Sequence, residues 1–222
     1  MENEREVKME LVKLAAITAA ITDLHRDRNS GTLLPIMNTR LRFNERKATQ
    51  AAAHLLRLRG TEMSYMKLIK LLYLADREAL LRWGRPITTD THVSMDRGPV
   101  LSRVLDLATD GDLPGETSIW ATHITEPERH SVRLRSDPGA EELSTAEAQL
   151  LDEIFERYGA KSRWELVELT HHLPEWTNPQ GSAISIQCRD ILKAGGKTDL
   201  EIAAIEDELE GVAWMENLLG AH

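Results

Sequence analysis

The sequence predicts a mainly helical α+β protein: a compact helical body with a small antiparallel β-hairpin or sheet, and a helical appendage at the N-terminus. Aromatic residues make up only 5% of the 222 residues. Ala, Leu, Glu, Arg and Lys are abundant, which favours helix over strand. Residues 64–83 are apolar around more than one helical face, which a surface helix does not tolerate. We therefore expect this segment to be the core helix.

The first 36 residues are predicted to form a helix and a hinge, joined to a main domain at residues 37–222. Residues 26–36 contain Asn, Ser, Gly and Pro and are typical of a hinge. The helix is predicted over residues 5–25, where apolar residues recur at three- and four-residue steps: Val7, Leu11, Leu14, Ile17, Ile21 and Leu24. Three roles remain open for it: a clamp on another protein, packing within the chain or in a homodimer, or a dispensable extension with Met37 as an alternative start.

The first two helices of the main domain are predicted from their ends. Asn44 suits an N-cap and Gly60 a C-cap, so a helix is expected from residue 44 to about residue 59. Ser64 begins the core helix, and a glycine and a proline follow its end at residue 83.

The middle of the chain is predicted to combine one helix and one hairpin. Residues 87–97 suit an extended connector, and Gly98-Pro99 is expected to open a helix over residues 100–108, with proline in the first turn. Residues 117–125 and 130–135 alternate apolar and polar side chains, which predicts the two strands of a hairpin.

The C-terminal part is predicted to contain four helices. Their starts follow from Ser144 or Thr145, Ser162, Ile186 and Thr198, and their ends are placed at Gly159, about Thr170, Gly195-Gly196 and about Leu219. Residues 171–181 are expected to form a compact turn.

The charge distribution disfavours a nucleic-acid-binding protein. The net charge is −9, whereas neutralising phosphates needs clustered Lys and Arg. Residues 40–59 carry six basic side chains against Glu45, and residues 198–222 carry seven acidic ones with no Lys or Arg. A helix-turn-helix over residues 44–83 is also disfavoured, because its second helix is too apolar to lie in a DNA groove.

The sequence favours a cytoplasmic protein without membrane association. Apolar runs are broken by charge well short of the ~20 residues that span a bilayer, and the acidic N-terminus lacks the basic region of a secretory signal. Cys188 is the only cysteine, which fits a reducing compartment. We expect it to be a small buried apolar residue rather than a catalytic thiol.

No catalytic, cofactor or metal motif is recognisable, so we expect neither an enzyme nor a cofactor. There is no GxSxG, GxGxxG, HExxH or phosphate-binding loop. Eight histidines are present, but the adjacent His171 and His172 would point about 100° apart on a helix and so not face one ion.

Three blocks resemble the Panacea domain, the SocA-like antitoxin domain of bacterial and phage toxin–antitoxin systems. They are MKLIKLLYLADREALLRWGRPIT at residues 66–88, RGPVLSRVLDL at 97–107 and LVELTHHLPEW at 166–176. The resemblance implies one domain over roughly residues 45–215. It singles out residues to which we assign mainly structural tasks: Lys67, Lys70, Leu71, Tyr73, Gly98, Pro99, Val100, Thr170, His171 and Trp176.

The resemblance implies a binding function: an antitoxin, of bacterial or prophage origin, that neutralises its cognate protein toxin by direct contact. The alternative is an adaptor that delivers the toxin to an ATP-dependent protease, as known for SocA, and a DNA-binding regulator is less favoured. Relatives often carry an aromatic residue where this chain has His92-Val-Ser-Met. The candidate toxin-facing residues are Arg40, Arg42, Arg46, Lys47, Arg57 and Arg59, with Leu11, Leu14 and Ile21 on the first helix.

Overall fold

The computed structural model describes residues 41–110 and 118–219. In this part of the chain there are eight helices and five short strands. The helices are α1 Glu45–Arg59, α2 Tyr65–Trp83, α3 Ser102–Asp110, α4 Ile119–His123, α5 Thr145–Tyr158, α6 Arg163–His171, α7 Cys188–Ala194 and α8 Asp199–Leu219. The strands are β1 Glu62–Ser64, β2 His92–Met95, β3 Gly98–Leu101, β4 Ser131–Arg133 and β5 Ile184–Ser185. The predicted mainly helical α+β fold is confirmed.

The ends of α1 follow the predicted caps. The Asn44 side chain accepts a hydrogen bond from the Lys47 N–H, which satisfies one of the unpaired donors of the first turn. Gly60 has φ +92°, the left-handed conformation that ends many helices. The side chains of Ala51, Ala52, Leu55 and Leu56 are fully buried, so α1 packs against the core along most of its length.

Helix α2 is the core helix, as predicted. It buries 12 of its 19 residues and contacts α1, α5, α6 and α7 as well as β3. Gly84 ends it with φ +74°. Because its apolar side chains face neighbouring elements on several sides, α2 lies inside the protein and has no free face for a DNA groove.

Two small antiparallel sheets flank the helices. In one, β2 pairs with β3 on one edge and with β5 on the other, with Ser94 opposite Pro99 and Ile184. In the other, β1 pairs with β4, with Met63 opposite Val132. The first sheet lies on α2 through β3.

The predicted helix start at Gly98-Pro99 is wrong, because these residues begin β3. Gly98 has φ +86° directly after the two-residue turn 96–97, so the chain reverses there and pairs with β2. Helix α3 starts later, at Ser102, and its first turn is capped from a distance. The Asp90 carboxylate accepts hydrogen bonds from the N–H groups of Arg103 and Val104 at 3.1 and 2.9 Å.

The predicted hairpin of residues 117–125 and 130–135 is also wrong in its first strand. Ser118 caps α4 by accepting from the Ala121 N–H, and the Glu45 carboxylate accepts from the Trp120 N–H at 2.9 Å. Both contacts favour a helical turn that buries Trp120. The second predicted strand exists as β4, but its partner is β1, and only the bridge Ile124–Leu134 remains of the expected pairing.

The C-terminal helices are close to expectation. Ser144 and Ser162 form capping boxes with Glu147 and Glu165 at the starts of α5 and α6. Helix α7 begins at Cys188, later than the predicted residue 186, because residues 184–185 pair with β2. Cys188 is half-buried rather than fully buried. It packs against a second, smaller core formed by Leu80, Ile186, Ile191, Leu192 and Ile202.

Several predictions concern residues outside the described part of the chain. They are the helix at 5–25, the hinge at 26–36, the domain boundary after residue 36, and the candidate toxin-facing residues Arg40, Leu11, Leu14 and Ile21. Within the described residues, no helix combines the length and the apolar character that crossing a membrane requires.

Candidate functional site

Lys70 is a buried lysine that holds the β2–β3 hairpin. Its side chain is on the core helix and only 1% exposed, and Nζ donates to the Pro99 carbonyl at 2.7 Å. Among the described residues it forms no ion pair with a carboxylate. Burial lowers the pKa of Lys70 to about 7, because a charged ammonium loses hydration there. The bond to Pro99 ties β3 to α2.

Thr170 and Gly98 make the closest approach in this region. The Thr170 hydroxyl donates to the carbonyl of Leu166 at 2.8 Å within α6. A Cβ on Gly98 would lie 2.7 Å from Thr170 Oγ1 and 3.0 Å from Lys70 Nζ. Glycine is therefore required at this position both by its positive φ and by the space available.

His171 and Trp176 hold the other end of the hairpin. His171 Nε2 lies 3.0 Å from the Asp96 carbonyl, and since a carbonyl only accepts, this nitrogen carries the proton. Trp176 Nε1 donates to the Met95 carbonyl at 3.1 Å. The two rings are in contact, with centroids 4.4 Å apart. We call Lys70, Thr170, His171 and Trp176 the hairpin anchor.

The other residues implied by the resemblance lie apart from the hairpin anchor. Lys67 Nζ donates to the carbonyls of Gly159 and Lys161, at 2.6 and 2.8 Å, and so joins α2 to the end of α5. Leu71 is fully buried in the main core. Val100 is 7% exposed on β3. The structure therefore gives each of these residues a place in the scaffold.

A buried polar network lies beside the anchor and was not expected from the sequence. The Glu175 carboxylate, whose side chain is fully buried, accepts from Arg77 Nε at 2.6 Å and from the Tyr73 hydroxyl at 3.1 Å. The pKa of Tyr73 is raised by burial and by the neighbouring Glu175 carboxylate. The sequence contained one signal for this network: Arg77 lies within the apolar core helix, and a buried arginine needs an acidic partner.

Asp76 and His92 form a second buried pair. Asp76 Oδ1 accepts from the N–H groups of Ile87 and Thr88, both at 3.0 Å, and so fixes the connector after α2. Burial raises the pKa of Asp76 to about 7 and lowers that of His92 to about 4. His92 Nε2 lies 3.9 Å from Asp76 Oδ2 and has no hydrogen-bond partner among the described residues.

The candidate basic residues of 40–59 are partly neutralised. Lys47 pairs with Glu147 at 2.8 Å and Arg57 with Asp137 at 2.6 Å. The Arg42 N–H donates to the Glu216 carboxylate at 3.2 Å. Arg46 and Arg59 are exposed. Two of the basic side chains are thus already engaged within the protein.

His171 and His172 do not face one another as metal ligands would. His171 Nε2 is bonded to the Asp96 carbonyl and His172 Nδ1 to the Glu168 carbonyl. No group of three or more metal-ligating side chains is present in the described residues.

A solvent-exposed surface beside the hairpin was missed by the sequence reasoning. Trp164 is 54% exposed, and the guanidinium groups of Arg97 and Arg163 lie over its ring, 5.8 and 5.1 Å from the centroid. The helical spacing contained the signal: Trp164 precedes the buried Leu166 by two positions, about 200° around a helix, and so points away from the core.

One comparison with known proteins gives a match. The sequence model of the family described as "Antitoxin SocA-like, Panacea domain" matches residues 68–177. This segment contains the hairpin β2–β3 and all four residues of the hairpin anchor. No curated protein and no solved structure matches the chain. Residues 68–177, just under half of the chain, therefore form a SocA-like Panacea domain.

Proposed function

We propose that this protein is an antitoxin that neutralises a cognate protein toxin by direct binding in the bacterial cytoplasm. The observation that carries the proposal is the Panacea match over residues 68–177. The proposed act is stoichiometric capture, which needs a stable interface of at least about 1,200 Å² in total.

The contacts of the hairpin anchor support a binding scaffold. Lys70, His171 and Trp176 all bond to backbone carbonyls of the hairpin. The anchor fixes the position of a surface loop, which is what a binding protein requires of its framework.

The unusual titratable groups also support binding rather than catalysis. Asp76, His92 and Glu175 are 0%, 3% and 7% exposed. Groups enclosed in this way do not reach a substrate, and the shifted pKa values of Asp76 and His92 follow from burial. We therefore propose that the protein performs no chemistry on its partner.

Growth rescue tests the proposal. The open reading frame beside this gene is expressed from an inducible promoter, alone and together with the tagged protein. We expect growth arrest alone, rescue by the protein, and a stoichiometric complex on size-exclusion chromatography. Leu71→Asp, which places a carboxylate in the fully buried core, is the unfolded control and should give no rescue.

Two other outcomes would contradict direct neutralisation. If rescue required an ATP-dependent protease and the toxin disappeared from the surviving cells, the protein would be a proteolytic adaptor. If the protein shifted its own promoter DNA with a steep salt dependence and formed no complex with the toxin, it would be a transcriptional regulator.

A further inference from the structure

A groove opens beside the hairpin at the start of α2. Its volume is about 270 Å³, and its apolar lining comes from Tyr65, Met66, Ile69, Met95, Val100 and Leu105. Lys70, Asp96 and Arg97 complete the lining. An apolar groove with a few polar groups at its edge is typical of a site that binds a side chain of another molecule.

Arg97 connects the groove to an exposed aromatic surface. Its guanidinium lies over Trp164, which Arg163 approaches from α6. Neither arginine forms an ion pair with any described residue, so two cationic groups remain available beside an exposed indole. Trp and Arg are the residues most enriched at binding hot spots, and Met is enriched at interfaces generally.

The acidic side chains nearby are already engaged. The Glu165 carboxylate accepts from the Ser162 N–H at 2.8 Å as part of the α6 capping box. Asp96 Oδ1 accepts from the Gly181 N–H at 2.9 Å. These bonds hold both carboxylates on backbone donors, and among the described residues neither carboxylate forms an ion pair with Arg97 or Arg163.

We infer that this groove, with Arg97, Arg163 and Trp164, is the docking surface for an acidic segment of the toxin. The inference rests on the proposed antitoxin function and names its interface. One large apolar side chain of the segment enters the groove, while carboxylates on either side of it reach the two guanidinium groups. Arg–carboxylate contacts of this kind are directional and set the register of the segment.

A nucleic acid is the less favoured occupant. Arginine and tryptophan also bind phosphates and bases, but the protein has a net charge of −9, and the groove beside them is lined mainly by apolar side chains. An acidic peptide with an apolar anchor uses both parts of the surface.

Matched variants at the two ends of α2 test the inference. Trp164→Ala and Arg97→Glu alter the surface at the start of α2. The control variants Trp83→Ala and Arg85→Glu make the same changes at the other end of α2, where Trp83 is 38% exposed. A helix of this length places the two ends about 27 Å apart. All four side chains are exposed, so the variants should fold, and thermal melting confirms this.

The readouts are growth rescue and the Kd of the purified toxin, measured by calorimetry. We expect Trp164→Ala and Arg97→Glu to raise the Kd by about 10- to 100-fold, and the two control variants to stay within about twofold of the wild type. Met66→Glu, which puts a carboxylate at the groove, should weaken binding to a similar extent. A toxin with an interface carboxylate changed to arginine should regain affinity for Arg97→Glu.

The failures of the two proposals are distinguishable. If the wild-type protein neither rescues growth nor binds, the antitoxin function itself is wrong, and the docking surface with it. If the wild type binds and all five variants bind equally well, only the docking surface is wrong. Tight, salt-sensitive binding of a labelled 20-nucleotide RNA that Trp164→Ala abolishes, with unchanged toxin binding, would assign the surface to nucleic acid instead.

Discussion

Alanine substitutions at Gly98 and at Gly60 should distinguish the free-energy cost of side-chain crowding from that of backbone strain. Gly98 has φ +86° and a Cβ there would lie 2.7 Å from Thr170 Oγ1 and 3.0 Å from Lys70 Nζ. Gly60 has a similar φ, +92°, but nothing within 4 Å of an added Cβ. Gly60→Ala therefore has the same conformational cost, about 1–2 kcal/mol, and the same reduction in unfolded-state entropy, without the crowding.

The crowding at Gly98 should lower the free energy of unfolding because hydrogen bonds fix the neighbouring side chains in place. Thr170 is hydrogen-bonded within α6, and Lys70 is bonded to Pro99. Overpacking a fixed site costs about 1–3 kcal/mol, so Gly98→Ala should lower the free energy of unfolding by about 2 kcal/mol more than Gly60→Ala does.

Urea denaturation measures this difference, with the slope of the transition checked for two-state behaviour. Adding Thr170→Ala to Gly98→Ala should recover part of the loss, with a coupling of about 1 kcal/mol. If the two glycine variants agreed within about 0.5 kcal/mol, or if the double variant showed no coupling, the close packing of the hairpin against α6 would be refuted.

Three further predictions concern the buried charges. Burial lowers the pKa of Lys70 to about 7, so the wild type should lose stability relative to Lys70→Met as the pH falls from 10.5 to 7. The expected loss in the free energy of unfolding is roughly 4 kcal/mol, measured by urea denaturation across this pH range. Burial lowers the pKa of His92 to about 4, so the unfolded chain takes up a proton at a higher pH than the folded protein does. The wild type should therefore lose about 3 kcal/mol of its free energy of unfolding relative to His92→Gln as the pH falls from 6.5 to 4. A stability difference between the two proteins that did not change with pH would contradict the burial of His92. Arg77→Met strands the buried Glu175 carboxylate and should cost about 3 kcal/mol or more, whereas Arg82→Met, which removes two exposed ion pairs, should cost less than about 1 kcal/mol by thermal denaturation.

The helices could be predicted where their signals are local. Asn44, Ser144 and Ser162 cap helices through side chains that reach only three residues ahead, and the glycine after α1 ends it through its own φ. Such contacts depend on short stretches of sequence, so the residue types suffice to place them.

The sheet was missed where distant residues decide the structure. Gly98-Pro99 has the composition of a helix start, but these residues pair with β2 instead. The cap of α3 is Asp90, whose carboxylate accepts hydrogen bonds from N–H groups that lie 13 and 14 residues later in the chain. Likewise, the carboxylate of Glu45 holds the start of α4, 75 residues along the chain. Periodicity within a window contains no information about such partners.

The candidate site was recognised in part. The resemblance pointed to Lys70, Gly98, Thr170, His171 and Trp176, and the structure brings them together around one hairpin. The exposed Trp164 and the neighbouring Arg97 were not singled out, because an exposed aromatic is identified only once the packed face of its helix is known.

The hairpin anchor has a consequence for how this domain can change over evolution. Its acceptors are the carbonyl oxygens of Met95, Asp96 and Pro99, and every amino acid supplies a carbonyl oxygen. The anchor thus fixes the path of the loop without requiring particular side chains at residues 95–97. Substitutions at the tip can therefore change the surface that the loop presents while the framework remains intact.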